Sequence, residues 1–244
     1  MKKIFTILAL TIGFSVNAQF WSQGTVSTAI QTANASASGS SSTAMGSGTT
    51  ASGNYSTAMG RNTTASADYS TAMGGGTTAS GYISTAMGFY TTASGTYSTA
   101  MGYETTASDY NSLVIGQHNS SGSSATSADS FSTANTAFVI GNGTYSNTSD
   151  AFKVMFNGNT TIGNDLTVSG DVVVSSDARL KANIVSLGAT LAKLLLIDGK
   201  SYTMKKDGKQ KIGVLAQDIQ KVFPELVSTD DRDMLAVNYQ GLVP

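Results

Sequence analysis

Small and polar positions repeat along the first half of the chain with a period of 14 residues. The phrase Ser-Thr-Ala-Met-Gly occurs five times, and its methionines keep the same spacing throughout. A second phrase, Thr-Thr-Ala-Ser, recurs at a constant offset from the first. Two short phrases in each period predict two short structural elements in each repeat. The five methionines are Met45, Met59, Met73, Met87 and Met101.

The composition of the repeat favours strands over a coiled coil of two heptads. Leu and Ile are absent from the core positions that a coiled coil needs, and the Gly after each Met would cost about 1 kcal/mol in a helix. Thr suits a pleated surface, and Gly takes the positive φ of tight turns. The strict period argues against a disordered Ser/Thr/Gly linker, which is the alternative interpretation of this composition.

Alternation along each strand points Thr43 and Met45 to one face and Ala44 to the other. A core of Ala, Ser, Thr and one Met per turn buries little surface, even when turns stack on each other. We therefore expect identical chains to pack side by side, with their Ala faces permitting close approach.

The pattern changes after the repeats. Alternating residues separated by Asn-Gly and Ser-Gly turns predict a β-rich neck, and a small mixed α and β unit of marginal size follows it. Leucines at helical spacing precede Asp198 and Gly199, and Pro224 stops a second amphipathic helix. The predicted elements are strands at 151–159, 166–174, 201–205 and 211–215 and helices at 187–197 and 216–223.

Composition excludes several kinds of chemistry. The 244 residues include no Cys and one His, and the formal net charge is −1. Disulfides, thiolate sites and multi-histidine metal sites are therefore excluded, and we expect no cofactor and no metal. We expect His118, which follows the last repeat, to be a solvated surface residue. Nucleic acid is not an expected partner, because binding it requires clustered Lys and Arg, and Arg61 alone is basic between residues 36 and 150.

The N-terminus predicts export. Lys2 and Lys3 precede an apolar run from Ile4 to Val16. Val16 and Ala18 are the small or compact residues at the two positions that a signal peptidase recognises before its cleavage site. These features are typical of a secretory signal peptide with cleavage after Ala18. The alternative is a membrane anchor, but the run is shorter than the roughly 20 residues that span a bilayer. We expect a secreted or cell-surface protein with no transmembrane segment after removal of the signal.

The repeats resemble the 14-residue head repeats of trimeric autotransporter adhesins. The five Ser-Thr-Ala-Met-Gly phrases and the Asn-Ser-Leu-Val-Ile-Gly phrase at 111–116 carry this resemblance, which covers about residues 36–141. It implies a left-handed parallel β-roll that assembles as an obligate homotrimer. It also implies a host, matrix or cell-surface ligand bound by the roll.

The C-terminal unit resembles the intramolecular chaperone domain of endosialidases and phage tail spikes. Phrases at 176–184, 212–227 and 237–239 carry this resemblance in the same order. It implies a domain that trimerises the fibre ahead of it and then cuts itself off with a Ser-Lys dyad.

Carried onto this sequence, the resemblance makes Ser176 the nucleophile and Lys181 the general base, with cleavage between Ser175 and Ser176. A spacing of five residues puts the two side chains on opposite faces of a strand, so the dyad must form across a turn or between chains. The alternative interpretation makes Ser176 and Asp177 a helix N-cap and Lys181 a solvated side chain. Further residues belong to the motif with roles left open: Asp177, Arg179, Asn183 and Gln217.

These observations predict a mostly β chain. The expected parts are a signal peptide (1–18), a lead segment (19–35), a β-roll (36–150), a neck (151–175) and a chaperone domain (176–244) with a truncated C-terminal stem. The predicted function is that of a secreted or surface trimeric fibre, adhesin-like, with an autocatalytic serine endopeptidase that has no external substrate. The alternatives are a purely structural fibre with a non-cleaving clamp and a phage tail-fibre-like protein.

Overall fold

The computed structural model describes residues 22–23, 29–32, 34–188, 190–205, 207–229 and 233–242. The chain divides into two compact units, Met1–Gly170 and Asp171–Pro244, and each is described by itself. The predicted signal peptide lies outside the described residues. Within the described part of the chain, every helix is too short or too polar to cross a membrane.

Turns of 14 residues stack into a parallel β-roll in the first unit. Long and short strands alternate along the chain and form two sheets, so each turn contributes one strand to each sheet. Equivalent residues pair in register, and Met59 lies between Met45 and Met73. The predicted fold class is therefore confirmed. The first sheet contains β1 (Ser22–Gln23), β2 (Ile30–Gln31), β4 (Thr43–Ser47), β6 (Thr57–Arg61), β8 (Thr71–Gly75), β10 (Thr85–Phe89), β12 (Thr99–Tyr103), β14 (Leu113–Gln117), β15 (Thr136–Asn142), β16 (Asp150–Met155) and β17 (Thr160–Ile162), and the second contains β3 (Ser36–Ala37), β5 (Thr50–Ala51), β7 (Thr64–Ala65), β9 (Thr78–Ala79), β11 (Thr92–Ala93) and β13 (Thr106–Ala107).

Ladders of small side chains fill the interior of the roll. Ala44 in the long strand and Ala51 in the short strand are 0% exposed, and so are their equivalents in later turns. Val114 and Val139 replace Ala at the last two turns of the first sheet. The interior of a 14-residue turn is narrow, so a methyl group or a valine side chain is enough to fill it.

The prediction that Ala faces join neighbouring chains is wrong. These methyl groups point into the roll of their own chain, where a second chain cannot reach them. The outer face of the first sheet carries the half-buried Thr and Met side chains instead. Alternation sorts residues into two faces, but it does not tell which face is inside. We call this outer surface the methionine face: Met45, Met59, Met73, Met87 and Met101.

The Gly after each Met is required by the contact between stacked turns. Gly74 has a φ of +120°, and a Cβ built on it would overlap the carbonyl oxygen of Gly88 in the next turn. The same backbone contact recurs from Gly46 to Gly102. Gly is therefore needed within the strand as well as at the corners of the turn.

Antiparallel strands close both ends of the first sheet. At the N-terminal end, β2 pairs in parallel with β4, and β1 returns antiparallel to β2. At the other end, β15 continues the parallel order, and β16 and β17 follow as antiparallel strands. The predicted strand at 151–159 corresponds in part to β16, and Gly158 lies in the turn that follows it.

The second predicted strand of the neck, at 166–174, does not form in the single chain. Its residues are exposed, and Val173 is 89% exposed. A strand requires a partner for its backbone N–H and C=O groups, and none of the described strands pairs with this segment. Alternation of residues alone therefore does not predict whether a strand forms in this segment.

Asp109 closes the end of the second sheet. Gly39, Gly53, Gly81 and Gly95 hold this position in earlier turns, with Ala67 as the exception, and a Cβ on Gly95 would overlap the carbonyl oxygen of Asp109. Asp109 lies just after β13, the last strand of the second sheet. Its carboxylate is fully buried and accepts backbone N–H bonds from Thr126 (2.6 Å), Ser127 (3.4 Å) and Thr136 (2.7 Å). Asp109 thus ties the loop between β14 and β15 over the open end of the roll.

Replacing Asp109 with Ala is expected to lower the free energy of unfolding by about 2–4 kcal/mol, because the substitution leaves N–H groups of the capping loop without an acceptor. Chemical denaturation followed by circular dichroism measures this loss. Asp129→Ala is the matched control, since that carboxylate accepts one exposed bond from Thr96. An equal loss in both variants would refute the capping role of Asp109.

His118 is not the solvated residue that the sequence predicts. It is 8% exposed, and its Nδ1 atom lies 3.3 Å from Oε2 of Glu104. Its ring also contacts Tyr103, with centroids 5.1 Å apart. The stack of turns brings these residues together, because Glu104 and His118 occupy the same position in successive turns.

The described part of the second unit contains two antiparallel strand pairs and two short α-helices. The first strand pair reproduces the predicted strands within one or two residues, with Gly208 in its turn, and the second strand pair was not predicted. Among the described residues of the second unit, the buried hydrophobic residues are Ile219 and Phe223. The elements are α1 (Thr190–Leu194), α2 (Ala216–Val222), β18 (Lys200–Thr203), β19 (Gln210–Gly213), β20 (Val227–Thr229), β21 (Leu235–Val237) and 3-10 helices at Ala178–Leu180, Pro224–Leu226 and Tyr239–Leu242.

Helix α1 is shorter than the predicted helix at 187–197. Gly188 has a φ of +65°, a left-handed conformation that excludes Leu187 from a right-handed helix. Of the four leucines at helical spacing, Leu194 is partly buried, whereas Leu187, Leu191 and Leu195 are exposed in the single chain. With Leu196 they form what we call the leucine face, and the exposed fractions are 75% for Leu187, 69% for Leu191, 76% for Leu195 and 69% for Leu196.

Candidate functional site

The candidate site lies in an exposed segment near the beginning of the second unit. Asp177 is in extended conformation, with φ −62° and ψ 135°, and is the N-cap of the 3-10 helix Ala178–Leu180. Lys181 follows the helix and is again extended, with φ −125° and ψ 145°. This single tight turn separates Ser176 from Lys181.

Asp177 and Arg179 hold the turn together. Oδ1 of Asp177 accepts bonds from the backbone N–H of Arg179 (2.8 Å) and from its Nε atom (3.0 Å), and Oδ2 accepts from Nη2 (2.7 Å). The side-chain bond from Arg179, followed by the backbone bond, lowers the pKa of the Asp177 carboxyl. A lowered pKa means that the carboxylate stabilises the turn at neutral pH and loses this effect as the pH falls through the folded-state pKa. The cap is therefore in place at neutral pH.

The turn brings the two predicted catalytic residues together within one chain. Nζ of Lys181 donates a hydrogen bond to Oγ of Ser176 at 2.7 Å. Of the two arrangements that the sequence left open, across a turn or between chains, this contact has the first geometry. The capping interpretation is also partly realised, but the capping side chain is Asp177 rather than Ser176.

Both members of the pair are exposed in the single chain. A serine hydroxyl attacks a carbonyl efficiently only when a base removes its proton, and a lysine serves as that base only when it is desolvated. The distance between Ser176 and Lys181 fits proton transfer. The surroundings of the pair in one chain do not provide the desolvation.

The other motif residues occupy different places. Ser175, on the N-terminal side of the predicted scissile bond, is exposed, and Asn183 has a φ of +53°, which Asn tolerates better than most residues. Gln217 is exposed in α2 and lines a cavity of about 510 Å³ together with Tyr202 and Tyr239. The described residues contain no group of three or more His, Asp or Glu side chains that could hold a metal ion.

Sequence reasoning identified the pair but not what positions it. The roles of Asp177 and Arg179 were left open, although an acidic side chain two residues before an arginine is a usable signal for a capped turn. Sequence reasoning also overlooked a row of exposed tyrosines on the roll, which recurs at nearly the period of the repeat. The available signal was the position of Tyr55, Tyr69 and Tyr97 just before the Ser-Thr-Ala-Met-Gly phrase.

Comparison with known proteins agrees with both resemblances. Residues 37–63, 65–91 and 93–119 match the YadA head domain repeat (2 copies), and residues 176–228 match the family described as Chaperone of endosialidase. The chain therefore combines a segment of YadA-type head repeats with an endosialidase-type chaperone segment.

The chain is also similar to a curated phage protein. The Long tail fiber protein Gp37 of Escherichia phage AR1 is 36% identical over 83 residues. The match covers 30% of this chain and 8% of the phage protein, so the chain spans a small part of that relative. No solved structure matches the chain.

Proposed function

We propose that the chain is an exported homotrimeric surface fibre of the adhesin type, whose C-terminal unit assembles the trimer and then cleaves the bond between Ser175 and Ser176. The observation that carries the proposal is the 2.7 Å contact between Lys181 Nζ and Ser176 Oγ. It lies in the segment that matches the Chaperone of endosialidase family. In this proposal the roll (36–150) and neck (151–175) are the lasting product, and residues 176–244 are a removable assembly domain.

The proposed cleavage begins with the hydroxyl of Ser176. Its oxygen attacks the carbonyl carbon of Ser175 while the hydroxyl proton moves to Nζ of Lys181. The peptide C–N bond breaks as the amine of Ser176 takes up a proton, which leaves an ester between the Ser175 carbonyl and the Ser176 oxygen. Water then hydrolyses the ester and releases the carboxylate of Ser175 and the free hydroxyl of Ser176. The capped turn contributes orientation, because it holds the base beside the nucleophile.

Trimer assembly supplies what one chain lacks. The pair needs desolvation, and the leucine face of the same unit is exposed apolar surface of the kind that marks interaction sites. Packing of neighbouring protomers on the leucine face would bury apolar side chains in the unit that carries the pair, and in this proposal the assembled units also exclude water from the pair. The methionine face offers a corresponding contact surface on the roll. We therefore propose that assembly precedes and enables cleavage.

Export depends on the predicted signal peptide at residues 1–18. The positive charges at Lys2 and Lys3 and the short apolar run support it. The head-repeat match supports a surface location for the roll. Its ligand is a host, matrix or cell-surface component in this proposal.

Replacing Ser176 with Ala is expected to abolish cleavage and leave the trimer intact, because the methyl group cannot attack the Ser175 carbonyl. Intact mass spectrometry of the denatured chain distinguishes fragments that end at Ser175 and begin at Ser176 from the whole chain. Ser186→Ala is a matched control, since its hydroxyl accepts an exposed backbone bond from Gly188 and should not affect cleavage. If the parent chain stays whole as a trimer, the self-cleavage proposal is refuted and the C-terminal unit acts as a permanent clamp.

A tail-fibre role is the second candidate. The similarity to the Long tail fiber protein Gp37 favours it, since a tail fibre would use the same order of repeats and assembly domain. A phage structural protein is assembled inside the infected cell and needs no signal peptide. Export of a reporter protein fused to residues 1–18 therefore supports the surface fibre, and retention of the reporter supports the tail fibre.

A further inference from the structure

Exposed tyrosines form a continuous row along one corner of the roll, where each short strand turns into the next long strand. Successive ring centroids lie between 5.0 and 6.0 Å apart. The rings contact each other by stacked and edge-to-face arrangements, so the row is ordered by its own contacts. Four of the rings are 41% to 56% exposed. We call this surface the tyrosine strip: Tyr55, Tyr69, Tyr82, Tyr97 and Tyr110.

The strip is not a simple by-product of the sequence repeat. Tyr55, Tyr69 and Tyr97 occupy one position of the period, whereas Tyr82 and Tyr110 occupy the position before it. At the turns of Tyr82 and Tyr110, the usual tyrosine position holds other residues, Ile83 and Asn111. The row of rings continues across these shifts. Each of these five turns therefore places a tyrosine ring at the same corner of the roll, although the sequence position of the tyrosine varies by one residue.

The backbone conformation at this corner is one that bulky residues such as tyrosine rarely adopt. Tyr55, Tyr69 and Tyr97 have φ values of 57°, 58° and 61°, a left-handed conformation in which bulky residues are uncommon. Each donates its N–H to a carbonyl of the preceding turn, as Tyr69 does to Asn54 at 2.8 Å.

The opposite corner makes the same kind of bond with residues of several types. Asn62 and Gly76 are left-handed there, with φ values of 55° and 65°, and so are Tyr90 and Glu104, with φ values of 53° and 49°. Their N–H groups all bond carbonyls of the preceding turns. The left-handed turn therefore does not require a tyrosine, and the recurrence of a ring in five turns of the strip calls for another reason.

Charge limits the ligand that the strip can take. The carboxylate of Asp68 accepts the N–H of Asn54, and that of Asp129 accepts the hydroxyl of Thr96, so acidic groups lie beside the tyrosines. Arg61, the one basic residue between 36 and 150, lies at the end of β6 near the opposite corner. Phosphate or sulfate polymers require clustered cations and are therefore disfavoured.

The remaining chemistry fits a sugar. Each tyrosine offers apolar ring surface and a hydroxyl at its edge, although Tyr55 and Tyr69 cover one face of each other by stacking. A pyranose ring has a C–H face with hydroxyls around it. Amide and carboxylate oxygens beside the rings, such as those of Asn54 and Asp68, accept bonds from sugar hydroxyls. One ring per turn suits a polymer that repeats along the roll, since repeated contacts add avidity.

We propose that the tyrosine strip binds an extended, uncharged glycan whose sugar rings contact successive tyrosines. This inference deepens the proposed adhesin role and rests on the roll being the exposed part of the fibre. A second copy of the chain is the competing occupant. The methionine face fits that role better, because its methionine side chains are apolar and flexible and carry no hydroxyl groups.

The test measures binding by isothermal titration calorimetry, with the full chain as a trimer. The probes are cellohexaose and chitohexaose, with heparin as an anionic probe. We expect the parent chain to bind at least one of the two neutral hexamers and not heparin. The variant Tyr69→Asn/Tyr82→Asn should bind at least about tenfold more weakly, since it removes two neighbouring rings. Asn at position 69 keeps a residue that tolerates the left-handed backbone, so we expect the roll to remain folded.

Tyr145→Asn is the matched control, because Tyr145 is 87% exposed and lies outside the strip. Unchanged affinity in this control supports the assignment to the strip. The proposal is overturned if the parent binds neither neutral hexamer or if the double variant binds as tightly as the parent. Loss of the trimer in the double variant would overturn it too, because a second copy would then occupy the strip. A chain that trimerises and cleaves but binds neither hexamer refutes this inference alone, whereas one that binds but stays whole refutes self-cleavage alone.

Discussion

Replacing Gly74 with Ala is expected to prevent stable folding of the roll. A Cβ at this position would lie 2.0 Å from the carbonyl oxygen of Gly88, and the φ of +120° is unfavourable for any L-residue with a side chain. Relief requires the backbones of two turns to separate, which breaks the parallel hydrogen bonds between β8 and β10. We expect a loss of more than about 5 kcal/mol, at the extreme of single substitutions.

Thermal unfolding followed by circular dichroism measures the effect of Gly74→Ala, and two controls separate its causes. Gly158→Ala has a positive φ of 88° with nothing within 4 Å of the added Cβ, so it isolates the backbone conformation at a cost of about 1 kcal/mol. Gly170→Ala has neither the positive φ nor the contact and should be neutral. A Gly74→Ala protein as stable as Gly158→Ala would show that stacked turns can separate at little cost.

Cleavage is expected to slow by about 100-fold or more when the chain cannot assemble, because a general base contributes at least this factor and Lys181 is exposed in the single chain. The double variant Leu191→Glu/Leu195→Glu places two charges on the leucine face. Both leucines are largely exposed, so the fold of one chain should tolerate the change. The like charges should prevent burial of the leucine face between protomers.

Sedimentation equilibrium measures assembly of this variant, and intact mass over time measures its cleavage. Gln220→Glu, an exposed change in α2 that also adds a negative charge, is the matched control and should assemble and cleave at the parent rate. A monomeric double variant that cleaves as fast as the parent trimer would disprove the coupling of cleavage to assembly.

The candidate site illustrates what sequence reasoning could and could not supply. The resemblance named Ser176 and Lys181, but a spacing of five residues put the two side chains on opposite faces of a strand. It left a turn and an interchain contact as alternatives, of which the sequence analysis favoured the interchain contact. In the single chain, the bonds between Asp177 and Arg179 cap a 3-10 turn, and Nζ of Lys181 contacts Oγ of Ser176 beside it. Such a turn depends on side-chain geometry that a residue count does not contain.

Element boundaries in the second unit differ for similar local reasons. The leucine spacing predicted a helix at 187–197, but the left-handed Gly188 delays its start and leaves only Thr190–Leu194 in α-helical form. The alternation at 166–174 predicted a strand, but pairing requires a neighbouring strand that the single chain does not offer.

The sequence by itself determined the architecture of the roll, because a period of 14 with two phrases and recurrent Gly leaves stacked parallel turns as the consistent fold. Tertiary structure decided which face is inside. Ala44 and its equivalents face the narrow interior, so the Thr and Met side chains lie outside on the first sheet. Stacking also brought Glu104 to His118 and aligned tyrosines from five turns into one strip. The alternation of residues assigns each side chain to one of two faces, and the period assigns it to a position within the 14-residue turn. Which side chains touch each other depends on how the backbone closes each turn and stacks it on the next.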